Sequence, residues 1–266
     1  MSETAPRSIA ALNRLPPEEK ERRYAEAIPP ALLRRFQIDP HSLADAEGRK
    51  LLTITAPDGT SSVELDLRHA FGARDPLFYG HLTDTLNGQI LVLLVTVNDP
   101  EGPRFDVDRL PDGTKTQFGT FKRNVEAEVA AMRAGLAPSQ IRRGLRLLSE
   151  FIATFEHFIA RLGHPIYFIE PLAYHNAVVF ERYGFAYQQG RRWMESLNTR
   201  FSPGGDLLAR LDGSTPFRQP GAENSIRGRS WAIHDGLLGE PYTEVHMYKH
   251  VGKHAGVTTA PFQLRY

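Results

Sequence analysis

The chain has no cysteine. Disulfides, thiolate catalysis and cysteine-ligated metals are therefore excluded. It also has almost no net charge: 32 lysines and arginines against 31 acidic residues leave a formal +1. That balance gives no sign of a nucleic-acid binder. The longest aliphatic run, residues 90–95, falls far below the roughly twenty residues that span a bilayer. Met1-Ser2-Glu3-Thr4-Ala5-Pro6 lacks the basic and apolar regions of a secretory leader, so a cytoplasmic location is expected. There is no Gly-x-Ser-x-Gly elbow and no Gly-x-x-x-x-Gly-Lys loop. No internal repeat stands out.

What is present concentrates in residues 138–185. Leu148, Phe151, Ile152, Phe155, Phe158, Ile159 and Leu162 recur at steps of three and four, the spacing of one apolar helix face. Gly163 and Pro165 stop that helix. Ile166-Tyr167-Phe168-Ile169 has the length and the aromatic, β-branched character of a buried strand. A second helix is expected over 176–183, and Gly184-Phe185 opens another strand. Helix, strand, helix, strand in this order favours an α/β fold with a mixed sheet.

The flanking chain is less patterned. Residues 1–16 are expected to be loose. Pro17, Glu18 and Glu19 open a helix whose later turns carry Arg22 and Arg23, matching the helix dipole. Residues 31–36 add another turn or two. Strands are expected at 51–55 and 62–67, joined through Pro57-Asp58-Gly59. Val63, Leu65 and Leu67 alternate with Glu64 and Asp66, so one face of that strand is wet. A weaker strand, 77–83, precedes the Asn87-Gly88 turn. The strand at 89–97 is apolar throughout 90–95, as if covered on both faces. Residues 116–121 read as a strand and 125–134 as a short helix. Residues 186–196 read as a strand. Residues 198–241, rich in Gly, Pro and Ser, form a long insertion with one short helix around Trp231. Residues 242–251 are a last strand with Val245 and Met247 inward, followed by a tail. The segments are an N-terminal helical extension (1–48), a core (49–197), the insertion (198–241) and the last strand with its tail (242–266), all in one domain. His246, His250 and His254 have metal-ligand spacing for a helix. On the expected strand, His246 and His250 instead share a polar face and His254 lies past Gly252, so no metal is expected.

Two stretches resemble the GCN5-related N-acetyltransferase (GNAT) superfamily, of which the chain reads as a divergent member. His175-Asn176-Ala177-Val178-Val179-Phe180-Glu181-Arg182-Tyr183-Gly184-Phe185 is similar to the end of that family's last core helix. Residues 138–148 resemble its pyrophosphate loop and the helix that follows. The likeness covers roughly residues 85–195. It implies an α/β fold with a mixed, mostly antiparallel sheet flanked by helices, here with extra N-terminal helices and a long late insertion.

The resemblance also implies a chemistry. An acetyl or other acyl group would pass from a CoA thioester to an amine, with acetyl-CoA or another acyl-CoA as co-substrate. The acceptor would be a small molecule or an acylated carrier. Phosphates would meet exposed N–H groups at a helix N-terminus. Gln140, Arg142, Arg143, Gly144, Leu145 and Arg146 would bind them, with Asn176 as a further cofactor contact. Against the family pattern, Ile141 stands where Gln or Arg is usual, and Arg146 where a very small residue is usual. The family's loop follows a strand that splays from its neighbour and admits the pantetheine arm. Here the helix at 125–134 intervenes, and residues 116–121 would be the splayed strand. Phe180 occupies the place of the family's proton-donating tyrosine and has no proton to give. Tyr183 would replace that acid, and Glu170 would be the base. The plainer reading makes the arginines a solvated face, Tyr183 a packing aromatic and Glu170 a cap. On that reading the chain is a non-catalytic ligand-binding or assembly protein that has lost the loop and the acid. Neither a nucleic acid nor a membrane is an expected partner, and the C-terminal extension is compatible with tail exchange in a homodimer.

Overall fold

The computed structural model describes residues 6–117 and 122–266. Three short helices come first: α1 (Ile9–Asn13), α2 (Pro17–Ala25) and α3 (Pro30–Arg35). Four strands follow: β1 (Leu52–Thr55), β2 (Ser62–Leu67), β3 (Phe78–Asp84) and β4 (Ile90–Val97). Then come α4 (Val125–Arg133), α5 (Leu148–Arg161), β5 (Ile166–Ile169), α6 (Tyr174–Arg182) and β6 (Ala186–Gln189). The chain ends with α7 (Arg191–Arg200), α8 (Asp206–Ala209), a 3-10 turn at Ala222–Asn224, α9 (Ile226–His234) and β7 (His246–His250). These elements cluster into two compact units. The first takes the chain as far as Glu101, then Gly144–Glu170 and Tyr248–His254. The second holds Gly102–Arg143, Pro171–Met247 and Ala255–Tyr266.

In the first unit β1 to β4 run antiparallel, and β5 pairs with β4 in parallel. The α/β class and the mixed, mostly antiparallel pairing expected from the sequence are both present. The alternation in β2 works as read: Val63, Leu65 and Leu67 are buried, and Ser62, Glu64 and Asp66 are half-exposed. Helix α5 covers the buried face. Phe151 stacks on Phe78 at 5.1 Å, and Phe158 lies 6.5 Å from Tyr24 of α2. Phe155 meets Tyr167 of β5 edge-on at 5.0 Å. The Lys249 ammonium pairs with Glu156 of α5 at 2.9 Å, and the other Glu156 oxygen accepts the Gly252 N–H at 2.7 Å.

The N-terminal residues are not loose as a group. Ile9 and Leu12 of α1 are buried, and the Asp84 carboxylate at the end of β3 accepts the N–H groups of Ile9 and Ala10 at 2.7 and 2.9 Å. Ser8 Oγ accepts a third, from Ala11, at 3.1 Å. A carboxylate on the open N–H groups of a first turn stabilises by about 1 kcal/mol. Asp84→Ala is therefore expected to lower stability by that amount in urea unfolding, whereas an unchanged midpoint would show the carboxylate to be idle.

In the second unit, α4 forms where expected and packs its own core. Val107, Ala131, Leu136, Ile141, Phe217 and Trp231 are buried together. The expected strand at 186–196 is corrected. Only β6 is extended, Gly190 turns the chain at φ 90°, and α7 follows. Met194 and Leu197 of α7 and Phe201 just past it are buried at a three-to-four spacing that belongs to a helix. The C-terminal tail is fastened to this unit by hydrogen bonds. The Arg182 guanidinium donates to the Leu264 carbonyl at 2.6 Å, the Ile226 N–H donates to the Arg265 carbonyl at 2.8 Å, and the Thr259 N–H donates to Glu181 at 3.0 Å. Most of the strand expected at 116–121 lies outside the described residues; Thr116 itself is buried and donates to the Val107 carbonyl at 2.6 Å.

Candidate functional site

The feature that invites a ligand is in the first unit, along β4. Leu91 and Val92 pair with Phe168 and Ile169 of β5. There β5 ends, because Pro171 is close behind and cannot continue a ladder. β4 runs on through Val97. Among the described residues, Leu93–Val97 have no paired residue in β5. The strand is also irregular at the parting. Its register against β3 slips between His81 and Leu82, so that Leu94 faces His81, Val92 faces Leu82, and Leu93 is the extra residue. A bulge of this kind re-aims backbone groups and increases twist. Residues 90–95 were expected to be covered on both faces. That is corrected: Ile90 and Val92 are buried, but Leu91 and all residues from Leu93 to Val97 are half-exposed. The strand that parts from its neighbour is thus β4.

Gly144 lies at the same end of β4, and Leu145 and Arg146 follow it in the chain. A Cβ on Gly144 would sit 3.5 Å from the Val97 carbonyl oxygen. Leu145 is buried and Arg146 exposed. Arg146 has φ 60°, a left-handed conformation that an arginine adopts at a cost and a glycine freely. Its guanidinium makes no hydrogen bond or ion pair among the described residues. Two residues later α5 begins, and no side chain caps its first turn. Glu170, which follows β5, is half-exposed.

The remaining expected residues lie in the second unit, and most hold backbone there. The Gln140 side-chain oxygen accepts the Ala137 N–H at 2.7 Å. Arg142 donates to the Gly102 carbonyl, and Arg143 donates to the Ala134 carbonyl at 2.8 Å, just past the end of α4. Asn176 and Tyr183, at the start and end of α6, are half-exposed. Phe180 is buried against Phe185 with ring centres 5.0 Å apart. It fills core where a proton donor was looked for. His175 beside Asn176 is buried and bonded through Nδ1 to Ser230 Oγ at 2.8 Å. Burial, and after it the nearby His234, push its pKa down to about 3, so it is a neutral core imidazole.

Residue reading missed a charged cluster in the second unit. Glu128 on α4 is 2 % exposed. It accepts from Arg123 Nε at 2.9 Å and meets His234 Nε2 at 3.1 Å. Arg123 also donates to Asp235 at 2.7 Å, and Asp235 accepts from Thr215 at 2.7 Å and Arg218 at 2.9 Å. The Arg123 guanidinium lies 5.1 Å over the Phe217 ring. Two arginines balance two carboxylates, and every acceptor is used, which marks a scaffold network. Among the described residues no group of three or more His, Cys, Asp or Glu side chains could hold a metal ion, and no helix is long and apolar enough to cross a membrane. Compared with known families, curated proteins and solved structures, the chain matches none.

Proposed function

We propose that the protein is an acyl-CoA-dependent N-acyltransferase of the GNAT kind. The observation that carries this is the parting of β4 from β5 after Val92 and Ile169. An unpaired strand edge offers alternating N–H and C=O groups to an extended, amide-bearing chain. The pantetheine arm of CoA is such a chain. Its phosphates would lie toward Gly144–Arg146 and the uncapped first turn of α5, where N–H groups and the helix dipole favour anions. The Arg146 guanidinium supplies a charged donor there.

The reaction needs little covalent help. The amine lone pair attacks the thioester carbonyl, the C–N bond forms, the C–S bond breaks, and the amine proton leaves to a base. Positioning and a stabilised carbonyl oxygen supply most of the rate. Glu170, in the same unit as the β4 edge, is the proposed base. A second reading, a binding protein without catalysis, is favoured by one observation: the buried phenyl ring of Phe180.

Thermal unfolding with acetyl-CoA and with free CoA tests the cofactor site. A ligand that binds only the folded chain adds about 2.7 kcal/mol at a hundred times its dissociation constant. A raised midpoint, reduced in Arg146→Ala, is the expected result. No shift with either compound would sink the reading. Binding without CoA release across a panel of amines would leave the non-catalytic alternative.

A further inference from the structure

We infer that the acyl group this site takes is a medium or long alkyl chain rather than acetyl, and that it lies along the half-exposed stretch Leu93–Val97 of β4. The inference rests on the acyl-CoA reading and adds the substrate class to it.

The stretch is mostly apolar where it is open. Leu93, Leu94, Val95 and Val97 are half-exposed, as is Thr96 between the two valines, although they belong to a strand that also holds the buried Ile90 and Val92. Apolar side chains left partly in water beside an unpaired edge gain from any alkyl group laid on them. The neighbouring strand supplies a floor. Val95 faces Gly80 and Val97 faces Phe78. The Phe78 ring occupies the space over Gly80, since a Cβ there would come within 2.9 Å of its Cζ, and it stacks on Phe151. An alkyl chain beside Val95 would therefore rest on packed aromatic carbon. An acetyl methyl would use almost none of this surface.

Charge selects the same kind of ligand. Arg146, exposed at the end of the stretch, matches a head that carries phosphates. An anionic head with an amide-bearing arm and an alkyl tail answers the guanidinium, the free strand edge and the aliphatic side chains together. A second copy of this chain pairing edge to edge would use the backbone alone.

Calorimetric titration of the full chain with free CoA, acetyl-CoA and octanoyl-CoA tests the assignment. Burying even two of the six extra methylenes makes octanoyl-CoA bind roughly tenfold tighter than acetyl-CoA. Two variants act on the alkyl site by different means: Val95→Phe fills it, and Leu93→Gln removes apolar surface at nearly constant volume. Each is expected to bring octanoyl-CoA down to the affinity that the same variant has for acetyl-CoA. A wild-type circular-dichroism spectrum and a cooperative urea transition show that the variant is folded. Equal affinities for the two thioesters would overturn the inference and leave the acyl-CoA reading standing. Tighter octanoyl-CoA binding that both variants keep would place the chain elsewhere and overturn it too. Binding of no CoA compound would remove the acyl-CoA reading, and the inference with it. A dimer in sedimentation, with no dependence on chain length, would give the edge to a second copy.

Discussion

Replacing Trp231 with alanine will destabilise the protein by about 3–5 kcal/mol, the cost of emptying a large aromatic site in a packed core. Trp231 is 1 % exposed on α9. Its ring stacks on Phe217 at 5.1 Å and meets His234 edge-on at 5.7 Å. Its indole N–H donates to the Leu136 carbonyl at 2.8 Å. The substitution therefore opens a cavity and also leaves a buried carbonyl without its donor. Trp231→Phe separates the two effects, because it keeps most of the volume and loses the hydrogen bond. It should cost about 1–3 kcal/mol. Urea unfolding followed by circular dichroism reads both, since Trp193 complicates a fluorescence signal. A loss below about 1 kcal/mol for Trp231→Ala would mean that this core is not rigidly packed.

The second large effect concerns Glu128. Glu128→Gln is expected to cost about 3–5 kcal/mol near neutral pH, as when one partner is removed from a buried ion pair. Arg123 keeps Asp235 but loses its second carboxylate, and the new amide places a donor against Arg123 or His234. The pH dependence has a definite sign. Burial works against the charge on Glu128, but the hydrogen bonds from His234 and Arg123 outweigh it and hold the carboxyl below its usual value. Asp235 is likewise held low: burial opposes its charge, and the bonds from Arg123 and Thr215 prevail. The unfolded chain then binds more protons than the folded one in the acid range. This stability is complete above the ordinary carboxylate pKa of about 4 and is lost as the pH falls through the folded values. Glu181 acts in the opposite sense, because burial raises its carboxyl despite the bonds from Thr259 and Tyr187. The comparison of wild type with Glu128→Gln therefore matters more than either slope alone. Unfolding curves between pH 3 and 7 should be flatter for the variant in the acid limb. Parallel curves would show that Glu128 does not titrate with folding.

Much of the first unit was legible because its elements carry strong periodicities. The alternation of β2 and the three-to-four spacing of α5 each encode a face, and burial follows it. α7 was missed because Arg191 and Arg192 follow Gln188 and Gln189 without a change of composition. The turn is made by Gly190 in a left-handed conformation, and the spacing of Met194, Leu197 and Phe201 was the signal that could have revealed the helix. The fastened C-terminus was illegible for another reason. Most of its bonds run through its backbone, which a side-chain pattern does not report. The site was half legible. Gly144 and Arg146 were singled out, but the parting of β4 from β5 depends on where two distant strands stop pairing. Nothing within residues 90–97 announces that, and a bulge at Leu93 leaves no mark in a run of aliphatic residues.

That run has a consequence for the chain before it is folded. Ile-Leu-Val-Leu-Leu-Val-Thr-Val is uncharged, free of proline and rich in β-branched residues, the composition of segments that stack into cross-β fibrils. In the folded chain one edge is protected by β3 along its length and the other by β5 for only two residues. No lysine, proline or inward charge blunts the remainder, as edge strands usually require. Refolding at high concentration therefore sets intramolecular capture of β4 by β3 against pairing with the same segment of another molecule. The stretch of β4 that β5 leaves unpaired in the native state is therefore also where one molecule can be captured by another.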